Sequence, residues 1–372
     1  MKNILYVHSS AEKYGSDRSL FNIVSGIDKK KYKAYVVLPC DGPLVGLLNT
    51  VPEVETFVIN DLAVLRRKSL TPKGMIRYLL DYFNSKKKII SIIKNNGIDL
   101  VITNTSVVFP GAIAAKKNGV RSIWHAREII SNPLENALIS YVMNKYSDVV
   151  IANSKATANA FIIDESKKKV VYNGIVMRPY DMGKRSHPHV PFMIGMAGRI
   201  NRWKGQGLFV EAASEVLSRG IQAKFLIAGA AYAGDENLVS ELESKIEELN
   251  LENQVKLLGQ VEDMSEFYDS IDLFVVPSVQ PEPFGLVVVE AMSKGLPVVA
   301  TNHGGPTEII KDGISGKLVS WTSPNEMADA IVSLIKDSEM RESMARNGIS
   351  RAHEQFSTQA MIKKLEEIYD EQ

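Results

Sequence analysis

The feature that most narrows what this chain can fold into is a rhythm, repeated in both halves, of short apolar runs separated by longer amphipathic stretches. In the first half the runs are Ile4–Val7, Ala34–Leu38, Leu100–Thr103, Ser122–His125, Val149–Ala152 and Val170–Tyr172, with helical patterns at Ser19–Ser25, Lys73–Lys94 and Glu135–Tyr146. In the second half they are Phe192–Ala197, Lys224–Ala228, Val255–Leu258, Leu273–Val276 and Pro297–Ala300. Runs this short and this rich in β-branched residues read as strands buried on both faces, and a helix after each strand makes the strands parallel. Two such series predict an α/β protein of two doubly wound, Rossmann-like domains facing a cleft. The 372 residues suffice for two domains of ordinary size. Arg178–Pro191 carries three prolines, a glycine and two histidines without periodicity, which places a linker at 179–190 between domains at 1–178 and 191–355.

Composition sets the class. A hydrophobic content of 45% with 23% charged residues fits a globular chain. The single cysteine, Cys40, excludes an internal disulfide and suits a reducing compartment. Asn3-Ile4-Leu5-Tyr6-Val7 runs directly into a strand pattern, and no run approaches eighteen apolar residues. The expectation is a cytoplasmic protein with no leader and no membrane span. The net charge of +1 conceals an imbalance: residues 1–190 hold 28 of the 44 Lys and Arg but only 15 of the 43 Asp and Glu. Arg66-Arg67-Lys68, Lys86-Lys87-Lys88, Lys116-Lys117 and Lys167-Lys168-Lys169 contribute to it. Each cluster alone reads as a solvated helix face, whereas together they make a field that attracts anions. Peripheral contact with an anionic membrane, at the inner face of the plasma membrane, is the expectation.

Ligands of open parallel sheets bind beyond the carboxyl ends of the strands. After Phe192–Ala197 comes Gly198-Arg199-Ile200-Asn201-Arg202-Trp203-Lys204-Gly205, then a helix from near Gln206. An arginine fork and a lysine point charge in such a turn can hold a diphosphate, although a basic surface loop would read the same. After Leu273–Val276 comes a second constellation: Glu282 in a loop, Phe284-Gly285-Leu286 opening a helix, Glu290 about 6–9 Å along it, and Gly304-Gly305 further on. Amides at a helix start attract phosphate or sugar oxygens, and two carboxylates beside them can accept hydrogen bonds from two sets of vicinal hydroxyls. In the first half, His125 ends a strand in Trp124-His125-Ala126-Arg127-Glu128. It either faces the cleft or plays a structural part by capping a helix or bonding a carbonyl. Arg127 and Glu128 are weaker candidates for acceptor contact, and His8 reads as structural.

These blocks, in this order and separation, resemble glycosyltransferase family 4, a retaining family with the GT-B fold. The resemblance is specific over roughly 192–335 and looser in the first half, at Gly15, His125 and Asn173-Gly174-Ile175. It implies that Arg199 and Lys204 bind the donor diphosphate. Glu282 would contact the transferred sugar beside the amides of Phe284, Gly285 and Leu286, and Glu290 would hold the ribose hydroxyls. Gly15 would bring a backbone N–H to the phosphates, although many relatives carry two glycines where this chain has Gly15-Ser16. His125 would lie near the donor sugar. The first domain would serve the acceptor, the second the nucleotide sugar, and a helix within 356–372 would cross back to the first domain. The implied activity is retaining transfer of a hexosyl or related group from a nucleotide diphosphate-sugar to a hydroxyl of a glycan or lipid-linked acceptor, in cell-surface polysaccharide or glycolipid synthesis.

Other functions fit less well. Gly15 stands alone where a dehydrogenase needs Gly-x-Gly-x-x-Gly, and no glycine-rich turn ends in Gly-Lys-Ser/Thr. His187, His189, His303 and His353 lack metal-ligand spacing, and no Asp-x-Asp pair exists to seat a divalent ion on the diphosphate. The expectation is a metal-independent enzyme with no cofactor besides the nucleotide-sugar co-substrate. No basic-aromatic motif for nucleic acid is present. A GT-B-fold sugar-nucleotide epimerase and a non-catalytic nucleotide-sugar-binding protein are the alternatives.

Overall fold

The computed structural model describes every residue except Tyr14, Arg67, Lys68, Leu70, residues 180–187, Ala233 and Gln372. The linker expected at 179–190 falls mostly outside the described residues, as does His187. The chain divides into two compact units, Met1–Val176 with Ser357–Gln372, and Met177–Phe356.

The first unit runs β1 (Lys2–His8), α1 (Gly15–Gly26), β2 (Tyr32–Leu38), α2 (Pro43–Leu48), β3 (Val54–Val58), α3 (Pro72–Asn95), β4 (Leu100–Asn104), α4 (Pro110–Lys117), β5 (Arg121–Ala126), α5 (Pro133–Tyr146), β6 (Val149–Ala152), α6 (Lys155–Ala160) and β7 (Lys168–Val170). Its parallel sheet has the order β3-β2-β1-β4-β5-β6-β7. Alternate residues of β1 serve opposite layers: Ile4 and Tyr6 join one core, Leu5 and Val7 the other. Helix starts are marked chemically. The Thr71 hydroxyl caps α3 ahead of Pro72, and the Asn132 side chain caps α5 ahead of Pro133.

The second unit runs β8 (Phe192–Ala197), α7 (Gln206–Ser218), β9 (Ala223–Ala228), α8 (Asn237–Glu248), β10 (Val255–Gly259), α9 (Met264–Asp269), β11 (Leu273–Val276), α10 (Leu286–Ser293), β12 (Val298–Thr301), α11 (Pro306–Ile309), β13 (Lys317–Val319), α12 (Pro324–Lys336) and α13 (Ser338–Phe356). Its parallel strands are ordered β10-β9-β8-β11-β12-β13. The last helix, α14 (Thr358–Asp370), belongs to the first unit, where Met361, Leu365 and Tyr369 enter the core beside Ile4 and Tyr6. Thr358 N–H bonds Ile175 O at 2.9 Å, and Lys2 Nζ bonds Tyr369 O at 2.7 Å.

Some expected boundaries are corrected. The strand placed at Val170–Tyr172 lies two residues earlier, because Val150–Ala152 pairs with Lys168–Val170. The helix placed at Ser19–Ser25 already begins at Gly15, which is therefore an exposed helix residue rather than part of the preceding loop. In both sheets the winding reverses at a switch point, between β1 and β4 in one and between β8 and β11 in the other. A crevice opens at such points beyond the carboxyl ends of the strands.

Candidate functional site

In the second unit the switch point brings together the loops after β8, β11 and β12. Asn201 Oδ1 accepts from the N–H groups of Trp203 (3.1 Å) and Lys204 (2.9 Å), which curls the first loop back on itself. Gln206 Nε2 ties the same loop to Arg199 O at 3.0 Å. Val279 N–H bonds Trp203 O at 2.9 Å, and Gly305 N–H bonds Glu282 O at 2.8 Å, so the three loops are stitched together by backbone. Two glycines permit this. Gly205 has φ +77°, and a Cβ there would lie 1.8 Å from Pro277 O. Gly304 has φ +67°, and its Cβ would meet Glu282 O at 2.4 Å.

Within this frame Glu282 is buried. It accepts from Lys204 Nζ at 2.5 Å and from Ser278 Oγ at 2.6 Å. The Lys204 side chain is only 17% exposed. Two charges this deep are tolerable because each satisfies the other. Lys204 still carries further N–H donors. Arg199 lies with its guanidinium carbon over the Tyr232 ring, 3.5 Å from the centroid, a cation–π contact. Phe284 is buried against Phe356, and Gly285, at φ +97°, is the N-cap of α10. The amides at 284–286 thus cluster at the start of α10. Glu290 lies one turn inside α10, and its Oε2 accepts from Tyr268 Oη of α9 at 2.9 Å. His303 donates Nε2–H to Ser278 O at 2.6 Å and stacks on Trp321 at 4.7 Å and 5°. Burial lowers its pKa, against the opposing pull of that bond and of Glu282.

In the first unit, register places His8 opposite Asn104, and Asn104 opposite His125, along the carboxyl edge of the sheet. Arg127 is buried and joins them: Nε donates to Asn104 Oδ1 (2.8 Å), Nη1 to Ser19 Oγ and Asn173 Oδ1 (2.7 Å each), and Nη2 to His125 Nδ1 (3.2 Å). Burial, outweighing Glu128, lowers the Arg127 pKa to about 10, so it stays a cation. Arginine can only donate, so Nδ1 of His125 is an acceptor and the ring proton sits on Nε2. Burial, with Arg127 beside it, also holds the His125 pKa well below 6.5. His125 is therefore a neutral donor whose buried Nε2–H has no partner among the described residues. His8 is committed within the protein, its Nε2 2.9 Å from Asp17 Oδ1 and its Nδ1 2.9 Å from Asn104 Nδ2. The guanidinium of Arg127 is committed likewise, and Glu128 Oε2 accepts from Ser106 N–H and Oγ.

The first-unit match, residues 14–177, is to the family model Glycosyltransferase Family 4, and residues 178–351 match Glycosyl transferases group 1. The chain belongs to glycosyltransferase family 4. Its two parallel-sheet units are those of the GT-B fold. A solved structure of HepE from Anabaena, in complex with UDP and glucose, superposes with TM-score 0.81 at 27% identity, covering 100% of both chains. Among curated relatives, D-inositol 3-phosphate glycosyltransferase of Corynebacterium jeikeium is 35% identical over 49% of this chain. An uncharacterized glycosyltransferase of Methanocaldococcus jannaschii is 31% identical over 62% of it. These matches span only 45% and 62% of the relatives' own lengths.

The cations and carboxylates of this site stand in readable motifs, whereas their partners do not. Ser278 carries a positional signal, since it lies two residues past the end of β11. Tyr268, Tyr232 and Asn104 carry no local signal, because each meets its partner only through the fold. Among the described residues no group of three or more His, Cys, Asp or Glu could hold a metal ion, and no helix is long and apolar enough to cross a membrane.

Proposed function

We propose that this chain transfers a hexosyl or related group from a nucleoside diphosphate-sugar to a hydroxyl acceptor, with retention of anomeric configuration and without a metal ion. The carrying observation is the Lys204–Glu282–Ser278 cluster at the switch point of the second unit, beside Arg199 and the N-terminus of α10. In this reading Arg199, Lys204 and the amides of Phe284, Gly285 and Leu286 receive the diphosphate, and Glu282 meets the sugar. Glu290, held by Tyr268, accepts from the ribose hydroxyls. His125 donates Nε2–H to a sugar oxygen, and Gly15 offers a backbone N–H to phosphate.

Retention follows from the chemistry these groups can do. The glycosidic bond to the diphosphate breaks, the acceptor oxygen bonds the same face of C1, and its proton passes to a departing diphosphate oxygen. The cations and amides stabilise the charge that develops there. A neutral His125 that donates is a poor general base, and Glu282, already paired with a lysine, is a poor nucleophile. The UDP-bound Anabaena structure supports a uridine nucleotide. Similarity to a capsular polysaccharide biosynthesis glycosyltransferase of Staphylococcus aureus, 31% identical over 48% of this chain, supports a part in polysaccharide synthesis. The basic excess of residues 1–190 is what supports a glycan or lipid-linked acceptor at the cytoplasmic face of a membrane.

The test is a thermal-shift panel of UDP-, GDP-, dTDP- and ADP-sugars, followed by turnover and NMR of the product. Saturation at about a hundred times Kd should add roughly 2.7 kcal/mol with one base. No shift with any of them refutes the donor, and an α-linked donor giving a β-linked product refutes retention.

A further inference from the structure

The first unit displays apolar side chains that its core does not use. On α3, Met75, Ile76, Leu79, Leu80 and Phe83 are exposed, with Ile76 at 63%. Their spacing of i, i+1, i+4, i+5 and i+8 makes one stripe, beside the stripe that buries Ser85, Ile89 and Ile93. On α5, Leu134, Leu138 and Tyr141 are exposed at i, i+4 and i+7, Leu134 at 83%.

The two stripes flank one layer, since Tyr78 and Tyr82 of α3 and Tyr146 of α5 all pack against the core cluster of Phe109, Trp124 and Ile139. Ammonium groups cover the aromatic rings between them. Lys86 Nζ lies 4.9 Å from the Tyr82 centroid and 4.8 Å from that of Phe83, and Lys145 Nζ lies 5.3 and 5.5 Å from Tyr141 and Tyr146. Lys117, at the end of α4, is close enough to repel the Lys86 charge.

The acids nearby are already spent. Arg77 holds Asp81, Lys88 holds Asp61, and Lys116 holds Asp148. Glu135, in the first turn of α5, is the one acid on these two helices besides Asp81. An apolar stripe bordered by aromatic rings and lysines matches the layered chemistry of a lipid interface, with acyl chains below and headgroups above. A second copy meeting this face through a twofold axis would set these lysines against themselves.

We propose that α3 and α5 form a membrane-docking face, inserting Ile76, Leu79, Leu80, Phe83, Leu134 and Leu138 among the lipids of an anionic surface. This develops the membrane-side acceptor reading above, but does not depend on the donor assignment. It goes beyond attraction by net charge, because it requires burial of named apolar side chains.

The experiment is co-sedimentation of the full chain with vesicles of phosphatidylcholine alone and with added phosphatidylglycerol. The I76E/L80E/F83E variant and a K86Q/K87Q/K145Q variant are compared with wild type. F83W is read by fluorescence with brominated lipid as quencher, as a difference from wild type. Binding to anionic vesicles, a loss of about tenfold or more in the glutamate variant, a weaker loss with steeper salt sensitivity in wild type than in the glutamine variant, and quenching of F83W are the expected results. Far-UV CD and an unchanged thermal shift with the nucleotide sugar show that the variants fold and that donor binding is a separate matter. Wild-type binding by the glutamate variant, no anionic preference at low salt, or an unquenched F83W overturns the proposal. So does a concentration-dependent dimer in sedimentation velocity that the glutamate variant abolishes.

Discussion

Lys204 and Glu282 illustrate what a single pair of residues can be asked to do. Each neutralises the other in a nearly dry setting, and the lysine keeps donors for a second anion. Replacing Arg199 or Lys204 by Ala should weaken nucleoside diphosphate binding by about 10–150-fold, the equivalent of roughly 1.5–3 kcal/mol for a charge-assisted bond. Isothermal titration of the two single variants and the double variant checks this, and wild-type affinity in the double variant removes both residues from the site. A K204M/E282Q cycle separates the lost donor from the cost of stranding a buried carboxylate. His125 gives a pH signature. Its folded pKa lies below its unfolded value of about 6.5 through burial and then Arg127. Below that pH the unfolded chain takes up a proton that the folded chain refuses, so this contribution to stability falls as pH drops from about 7 towards 5 and is constant above. Urea unfolding across that range should show a flatter slope in His125→Gln than in wild type.

Elements are positioned by less conspicuous residues. Gly205 caps the start of α7 in a left-handed conformation, with Pro277 O in the space that a Cβ would take. Gly205→Ala should cost about 1–3 kcal/mol from strain alone, more from the backbone clash, and should push apart the loops that hold Lys204 and Ser278. Loss of donor binding beyond the loss of stability is the measurable result. At the other end of the chain, Leu365→Ala should destabilise the first unit by about 2–5 kcal/mol, since Leu365 is fully buried in α14; denaturant unfolding measures it. These cases show which elements were legible beforehand. Phe192–Ala197 and Leu273–Val276 were readable to the residue because a central strand buried on both faces must be apolar throughout. β3 and β13 passed unread, because at a sheet edge Val54–Val58 is half exposed and Lys317–Val319 is three residues long. The site divides in the same way. Arg199, Lys204, Glu282 and Glu290 sit at readable strand ends and helix starts. The lysine–glutamate bond spans 78 residues, and the Arg127–Ser19 bond 108, so no local pattern encodes either.

For the molecule as a whole, the charge partition and the chemistry of the loops lead to different tests. With Arg199, Lys204 and helix amides assigned to the leaving group, transfer should persist in EDTA and gain nothing from magnesium or manganese. If chelation stops turnover and a divalent ion restores it, the cations have been misassigned. A further consequence follows from α14, which belongs to the first unit but comes after the second in the chain. On the ribosome, the first unit emerges early but lacks the wall that Met361, Leu365 and Tyr369 supply to its core. It must wait while the 180 residues of Met177–Phe356 are synthesised, a delay of roughly 10–40 s at ordinary elongation speeds. During that interval Ile4, Tyr6 and their neighbours face a gap, and the contiguous second unit has every segment it needs once Phe356 is made, before α14 follows. The order of synthesis is thus the reverse of the order of completion, and the nascent first unit is where chaperones would find exposed apolar surface.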